Sequence, residues 1–84
     1  MNIYVGNLDF KVKEDDLEGI FEEYGTVSSA KIIVDKYSGR SKGFGFVTME
    51  NQDEAKNAIN ELNGAMLENR EMIVNEAKPK KERY

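Results

Sequence analysis

This 84-residue chain contains no cysteine, no histidine and no tryptophan, and it has a single proline. Without cysteine, the fold can be neither stabilised by disulfides nor built around a zinc–thiolate site. Without histidine, the commonest metal ligand and the commonest acid–base catalyst are both missing. We therefore expect a protein that is not an enzyme and that uses no metal or other cofactor.

Long apolar segments are also missing, because the longest apolar runs are only a few residues, whereas a membrane span needs about 20. The N-terminus lacks the charged and apolar regions of a secretory signal. We expect no membrane association and a cytoplasmic location, or a nuclear one if the source is eukaryotic. The length is that of one small domain, which we place at residues 1–78, followed by a polar C-terminal tail at residues 79–84.

The charges are distributed unevenly around a net charge of −4. Residues 9–23 carry seven acids against two lysines, whereas residues 31–45 carry four basic side chains against one acid. An acidic back and a basic front would attract a polyanion to one face of the molecule. The low total predicts modest binding that weakens as salt is added.

Two segments have the alternation of β-strands and carry aromatic residues. In Lys42–Met49, with sequence KGFGFVTM, Phe44 and Phe46 point to one face of the strand. Val47 and Met49 point to the other face. In residues 3–8, with sequence IYVGNL, Tyr4 points away from its aliphatic neighbours. If the two strands are adjacent, three rings share one face.

Glycine is unusual inside a strand, because ordering it costs more conformational entropy than ordering any other residue. Gly43 and Gly45 lie inside the segment Lys42–Met49. We interpret them as leaving the rings uncrowded, so that a flat ligand can lie on them.

Apolar residues recur at the i, i+3, i+4, i+7 spacing of an amphipathic helix in two further segments. These residues are Leu17, Ile20, Phe21 and Tyr24 in the first segment and Ala55, Ala58, Ile59 and Leu62 in the second. Lys13 precedes the first helix, where a capping side chain would be favourable. Gly25 is predicted to end that helix in a left-handed conformation. Asn51 and Glu54 are predicted to form a capping box for the second.

Alternating segments at 27–34 and 72–75 complete the order β, α, β, β, α, β, with a turn at residues 65–70. This order predicts an α+β fold, the ferredoxin-like βαββαβ sandwich, with a four-stranded antiparallel sheet and two helices on one face. The sheet residues predicted to face the helices are Ile3, Val5, Ala30, Ile32, Val34, Gly45, Val47, Met49, Met72 and Val74. The rings are then left on the open face.

The two aromatic segments resemble the signatures of the RNA-recognition motif family. KGFGFVTM fits the family octamer at seven of eight positions, with Met49 where phenylalanine or tyrosine is usual, and IYVGNL fits the hexamer at every position. They occur in the expected order, about forty residues apart, and the resemblance extends from Asn2 to Ala77. The chain is most similar to small single-domain RNA-binding proteins of bacterial and glycine-rich plant type.

The resemblance implies single-stranded RNA as the partner and a post-transcriptional role. It assigns Tyr4 and Phe46 to stacking on successive bases. It assigns Phe44 to packing against the sugars and Lys42 to pairing with a phosphate. Stacking on an aromatic ring contributes about 1–3 kcal/mol per base.

Other residues beside the rings are candidates for RNA contacts. Lys31, Arg40 and Lys78 could contact phosphates, a role that positions RNA without reading its sequence, and each is equally well explained as a solvated surface charge. Asn75 and Ala77 lie where the last strand runs out beside the rings, and in the family this segment often reads base edges.

Alternatives to RNA binding remain open from the residues alone. The open face could dock a protein partner or a second copy of the chain, or the rings could be core residues beneath a third layer. Single-stranded DNA is an alternative ligand, because discrimination against it needs a contact to the 2′-hydroxyl. We expect a monomer.

Overall fold

The computed structural model describes residues 1–77, apart from the side chains of Ser41 and Lys42. Its elements in chain order are β1 (Asn2–Gly6), α1 (Glu14–Glu22), β2 (Val27–Val34), β3 (Ser41–Met49), α2 (Gln52–Leu62), β4 (Met66–Leu67), β5 (Arg70–Glu71) and β6 (Ile73–Glu76). Four strands form an antiparallel sheet in the order β2-β3-β1-β6. The predicted βαββαβ fold is confirmed, and the predicted turn at residues 65–70 contains a short hairpin of β4 and β5.

Both helices pack against the same face of the sheet, because every second strand residue and one stripe of each helix are apolar. The core contains Ile3, Val5, Val47, Met49 and Val74 from the sheet, Leu17 and Phe21 from α1, and Ala55, Ala58 and Leu62 from α2. The predicted helix faces are therefore confirmed. In the described part of the chain, both helices are too short and too polar to cross a membrane.

The outer edge of β6 is covered by the segment that follows α2. The Asn63 side-chain oxygen accepts a hydrogen bond from the Val74 N–H at 3.0 Å. Gly64, which has φ +90°, donates its N–H to the Met72 carbonyl oxygen at 2.8 Å. These bonds satisfy backbone groups that an edge strand would otherwise leave open to pairing with another chain.

Val34 was expected in the core, and this prediction is wrong, since 51% of its surface is exposed. The ladder between β2 and β3 shifts register here: Ile32 lies opposite Gly45, but Val34 lies opposite Ser41. Val34 lies at the irregular end of β2 and is not part of the core. Val34 instead lines an open cleft of about 290 Å³, together with Phe10 of the loop before α1.

The connection from α1 to β2 also differs from its prediction. Gly25 does not have a positive φ, so the expected left-handed terminator is wrong. A Cβ at Gly25 would overlap the Glu54 carboxylate, so a larger residue there would require the Glu54 side chain to move. That carboxylate accepts from the Thr26 N–H at 3.3 Å and does not reach back to Asn51. Only half of the predicted capping box is present, in which the Asn51 side chain accepts from the Glu54 N–H at 3.0 Å.

Lys13 is the N-cap residue of α1, and its side chain makes no capping hydrogen bond. The Asp16 carboxylate accepts from the Lys13 backbone N–H at 3.0 Å, an interaction that threonine would keep. A threonine hydroxyl would also accept from a free N–H of the first turn. We expect Lys13→Thr to raise the free energy of unfolding by about 1 kcal/mol, measured by urea denaturation.

Lys11→Thr is the control for this prediction. Lys11 is exposed in the same loop, and its replacement removes the same positive charge at a position that is not the N-cap. Equal stabilisation by the two variants would show that the cap is not the cause.

Candidate nucleic-acid interface

Tyr4, Phe44 and Phe46 form a cluster on the face of the sheet opposite the helices. The ring centroids of Tyr4 lie 5.9 Å from those of both phenylalanines, and the two phenylalanine centroids are 6.1 Å apart. Phe46 is 37% exposed, and the other two rings are half-buried. The alternative in which the rings are core residues is therefore wrong for the described part of the chain.

Gly6 allows the Tyr4 ring to lie along β1. A Cβ at Gly6 would come within 2.5 Å of the Tyr4 hydroxyl oxygen and 2.8 Å of the ring carbon Cε2. Ile73 lies opposite Gly6 on β6 and is 47% exposed, which adds apolar surface beside the tyrosine. Neither residue was among the sequence candidates, although a glycine two positions after an exposed aromatic residue on a strand was an available signal.

The two glycines of β3 have roles other than the one inferred from sequence. Gly45 is buried, and a Cβ there would overlap the Lys31 carbonyl oxygen and lie 3.2 Å from the Ile32 Cα. It permits the close approach of β2 and β3. Gly43 has φ +89°, in the segment where the register shifts. The inference that these glycines exist to uncover the rings is wrong, although the rings are accessible.

The register of the sheet places four candidate residues in one row across all four strands. Lys31 lies opposite Phe46, and Phe46 lies opposite Tyr4. Asn75 lies opposite Tyr4 on the other side. Both end residues of this row are exposed. A ligand lying across the rings would therefore meet an ammonium group at one end and a carboxamide at the other.

A polar row lies beside this aromatic row. Ser29 lies opposite Thr48, and Thr48 lies opposite Asn2, whose side-chain oxygen accepts from the threonine hydroxyl at 2.9 Å. The Ala77 N–H donates to the Asn2 carbonyl oxygen at 2.8 Å, which extends the row to the fourth strand position. Asn2 and Ser29 were not among the candidates from the sequence. Each lies two residues from a candidate, Asn2 from Tyr4 and Ser29 from Lys31.

The remaining basic candidates lie elsewhere. Arg40 is exposed in the loop between β2 and β3, which is closed by a hydrogen bond from the Asp35 N–H to the Arg40 carbonyl oxygen at 2.7 Å. The Lys42 side chain and Lys78 lie outside the described residues. Arg40 is therefore placed off the sheet, at the end where β3 begins.

Acidic side chains are concentrated on the helices, on the side of the sheet away from the rings. The first turns contain Glu14, Asp15 and Asp16 in α1 and Asp53 and Glu54 in α2. On the ring face, Lys31 projects into solvent. Among residues 1–77, no group of three or more acidic side chains is arranged to hold a metal ion.

Comparison with known proteins identifies this geometry. The sequence matches the family described as the RNA recognition motif over residues 3–73. The chain belongs to the RNA-recognition motif family. The resemblance inferred from the octamer and the hexamer is thereby confirmed.

Two relatives place this RNA-recognition motif among plant and cyanobacterial proteins. The chloroplastic 29 kDa ribonucleoprotein of Arabidopsis thaliana is 52% identical over 75 residues, which cover 89% of this chain and 22% of that protein. RbpA of Nostoc sp. is 45% identical over 83 residues, covering 99% of this chain and 81% of that protein. The chain thus spans less than a third of the Arabidopsis chloroplast relatives that it matches but most of the Nostoc one.

Solved structures agree with this assignment. The crystal structure of RNA Binding Protein PG1 has a TM-score of 0.92 and 50% identity, and the match covers 98% of this chain and 99% of that one. An SXL-lethal protein/RNA complex has a TM-score of 0.89 and 28% identity, covering 96% of this chain and 48% of that one. The similarity therefore extends over nearly the whole RNA-recognition motif.

The contact between Gly6 and Tyr4 gives a prediction about the ring cluster. In Gly6→Ala, the new methyl group should displace the Tyr4 ring, while stability changes little because an aromatic side chain at the surface can swing away. We expect the affinity for single-stranded oligouridine to fall by about fivefold, since part of one stacking interaction is lost. Fluorescence anisotropy measures the affinity, and nuclear Overhauser effects between Tyr4 and Phe44 report the ring position.

Gly19→Ala is the matched control, because a Cβ at this exposed position of α1 would meet no atom within 4 Å. It should raise the free energy of unfolding by about 0.5–1 kcal/mol and leave the affinity unchanged. Intact Tyr4–Phe44 contacts in Gly6→Ala would contradict the prediction.

Proposed function

We propose that this RNA-recognition motif binds a few nucleotides of single-stranded RNA on its open sheet face, by base stacking and without catalysis or a cofactor. The observation that carries the proposal is the cluster of Tyr4, Phe44 and Phe46, whose rings lie 5.9–6.1 Å apart and reach solvent. Covering an exposed aromatic ring with a base lowers the free energy, because the two stack and exclude water. Three rings offer surface for two or three bases.

The proposed roles follow the positions of the rings. Tyr4 and Phe46 stack on successive bases, and Phe44 packs against the sugars. The adjacency of Tyr4 and Phe46 in the ladder supports the first role, because neighbouring bases of one strand need neighbouring platforms.

The proposed polar contacts lie around these platforms. Lys31 contacts a phosphate, supported by its position opposite Phe46, and Arg40, Lys42 and Lys78 are proposed to do the same. Asn75 is proposed to read a base edge, supported by its position opposite Tyr4. Ala77 is proposed to approach the RNA through its backbone at the end of the same strand.

The proposed binding unit is residues 1–78, with residues 79–84 as a polar tail, and it acts as a monomer. We further propose a cytoplasmic, post-transcriptional role. The relatives are named as a ribonucleoprotein and as RNA-binding proteins, which supports RNA as the partner.

The stacking proposal predicts the behaviour of Phe44→Ala combined with Phe46→Ala. Because both changes are on the open face, far-ultraviolet circular dichroism should be unchanged. The affinity for an eight-nucleotide oligouridine should fall roughly tenfold or more, measured by fluorescence anisotropy.

Phe10→Ala combined with Tyr37→Ala is the matched control, because these aromatic residues are 68% and 99% exposed in loops outside the sheet. The control should stay within about threefold of the unchanged protein. If the open-face variant keeps its affinity, or if the control loses as much, stacking on the sheet is not the mode of binding.

The phosphate contacts predict a dependence on salt. Binding should weaken with a slope of about 0.7 per phosphate contact in a plot of log affinity against log salt concentration. In Lys31→Gln the slope should fall by about 0.7, while Lys56→Gln on the exposed side of α2 should leave it unchanged. A slope that is the same in both variants would exclude a phosphate contact by Lys31.

A further inference from the structure

Asn2 and Thr48 lie beside the stacking platforms. Asn2 precedes Tyr4 by two residues on β1, and Thr48 follows Phe46 by two residues on β3, so both side chains share the face of the rings. Two residues along a strand span about 6.6 Å, which is close to the spacing between the rings. A base next to the one on Phe46 can therefore lie over this polar pair.

The hydrogen bond between the two side chains fixes the orientation of the Asn2 carboxamide. The Thr48 hydroxyl donates to Asn2 Oδ1 at 2.9 Å. Because Oδ1 faces the threonine, Nδ2 and its two hydrogens point away from it. Asn2 is exposed, so these hydrogens are presented on the sheet surface.

This orientation gives Asn2 mainly the character of a hydrogen-bond donor. Oδ1 already accepts from Thr48, which leaves it one lone pair, whereas Nδ2 offers two donor hydrogens. The other members of the row, Ser29 and Ala77, carry no carboxylate that would attract an amino group of a base.

Bases differ in what they present to such a donor. Uracil and guanine carry exocyclic carbonyl oxygens, which accept hydrogen bonds, whereas the exocyclic group of adenine is an amino group, which donates, and only its ring nitrogens accept. A donor that meets the exocyclic group of the base therefore favours a keto base.

We propose that Asn2, oriented by Thr48, selects uracil or guanine over adenine by donating from Nδ2 to a carbonyl oxygen of the base next to the one on Phe46. This inference rests on the proposed stacking of RNA on the open face. It gives the polar row the role of reading a base, beside an aromatic row that supplies affinity for any base.

Asn2→Asp tests this role, because aspartate has the same shape but replaces the donor nitrogen with an acceptor oxygen. Dissociation constants are measured by fluorescence anisotropy for eight-nucleotide oligouridine and oligoadenosine. The ratio of the oligouridine constant to the oligoadenosine constant should rise at least fivefold in the variant. Differences in intrinsic stacking cancel, because the same two oligonucleotides are compared in both proteins.

Asn57→Asp controls for the added negative charge, since Asn57 is exposed on α2, on the other side of the sheet. It should leave the ratio unchanged. Asn2→Ala, which removes the donor without adding charge, should raise the ratio at least threefold. Thr48→Val, which keeps Asn2 but frees its carboxamide, should raise the ratio about twofold.

The outcomes separate this inference from the function on which it rests. If the unchanged protein binds neither oligonucleotide, the proposed function itself fails. If it binds both and the ratio is the same in Asn2→Asp, Asn2→Ala and Asn57→Asp, then Asn2 does not select the base, and only the present inference fails. Circular dichroism of each variant confirms that the ratio is measured on folded protein.

Discussion

The burial of one face of the sheet against both helices is the constraint on which the rest of the molecule depends. Each helix has a single apolar stripe, so neither can cover a second surface. Because strand side chains alternate, the residues that fill the core fix by exclusion which residues face solvent. Ile3 and Val5 point into the core, and Tyr4 between them must therefore point out. The candidate binding surface is the face of the sheet that the helices leave uncovered.

The same alternation explains why much of the site was predictable from the sequence. Tyr4 lies between two buried aliphatic residues and so has one direction available, and Phe44 and Phe46 share a face because they are two residues apart on one strand. The three rings could therefore be placed on one face before any coordinates. Lys31 was a candidate because of its charge, and Asn75 because of the family resemblance. Their positions opposite the rings could be identified only from the observed register of the strands, which hydrophobic alternation restricts but does not determine.

Predictions failed where backbone geometry departs from the regular repeat. Val34 follows a register shift at the end of β2, and alternation predicts the direction of a side chain but not whether another element covers it. The Glu54 carboxylate was predicted to bond to Asn51, its neighbour in sequence, but it accepts from the Thr26 N–H. Only the folded chain brings Thr26 within its reach. A glycine that follows a helix can be explained by a left-handed turn or by a close neighbour. The sequence alone does not distinguish these explanations for Gly25, and the structure shows a close neighbour.

The acidic net charge is compatible with a polyanionic ligand because of the distance that the fold imposes. A helix with its side chains is about 10–12 Å thick, so acids on the outer surface of the helix layer lie farther than that from the rings. The Debye length at physiological ionic strength is about 8 Å. The repulsion between those outer acids and a polyanion on the open face would therefore be largely screened. Lys31, opposite Phe46, and Glu14, whose carboxylate accepts from the Ile32 N–H at 3.1 Å, lie at the sheet itself. Since few basic side chains lie on the ring face in the described part of the chain, the proposed binding of RNA would draw most of its free energy from stacking.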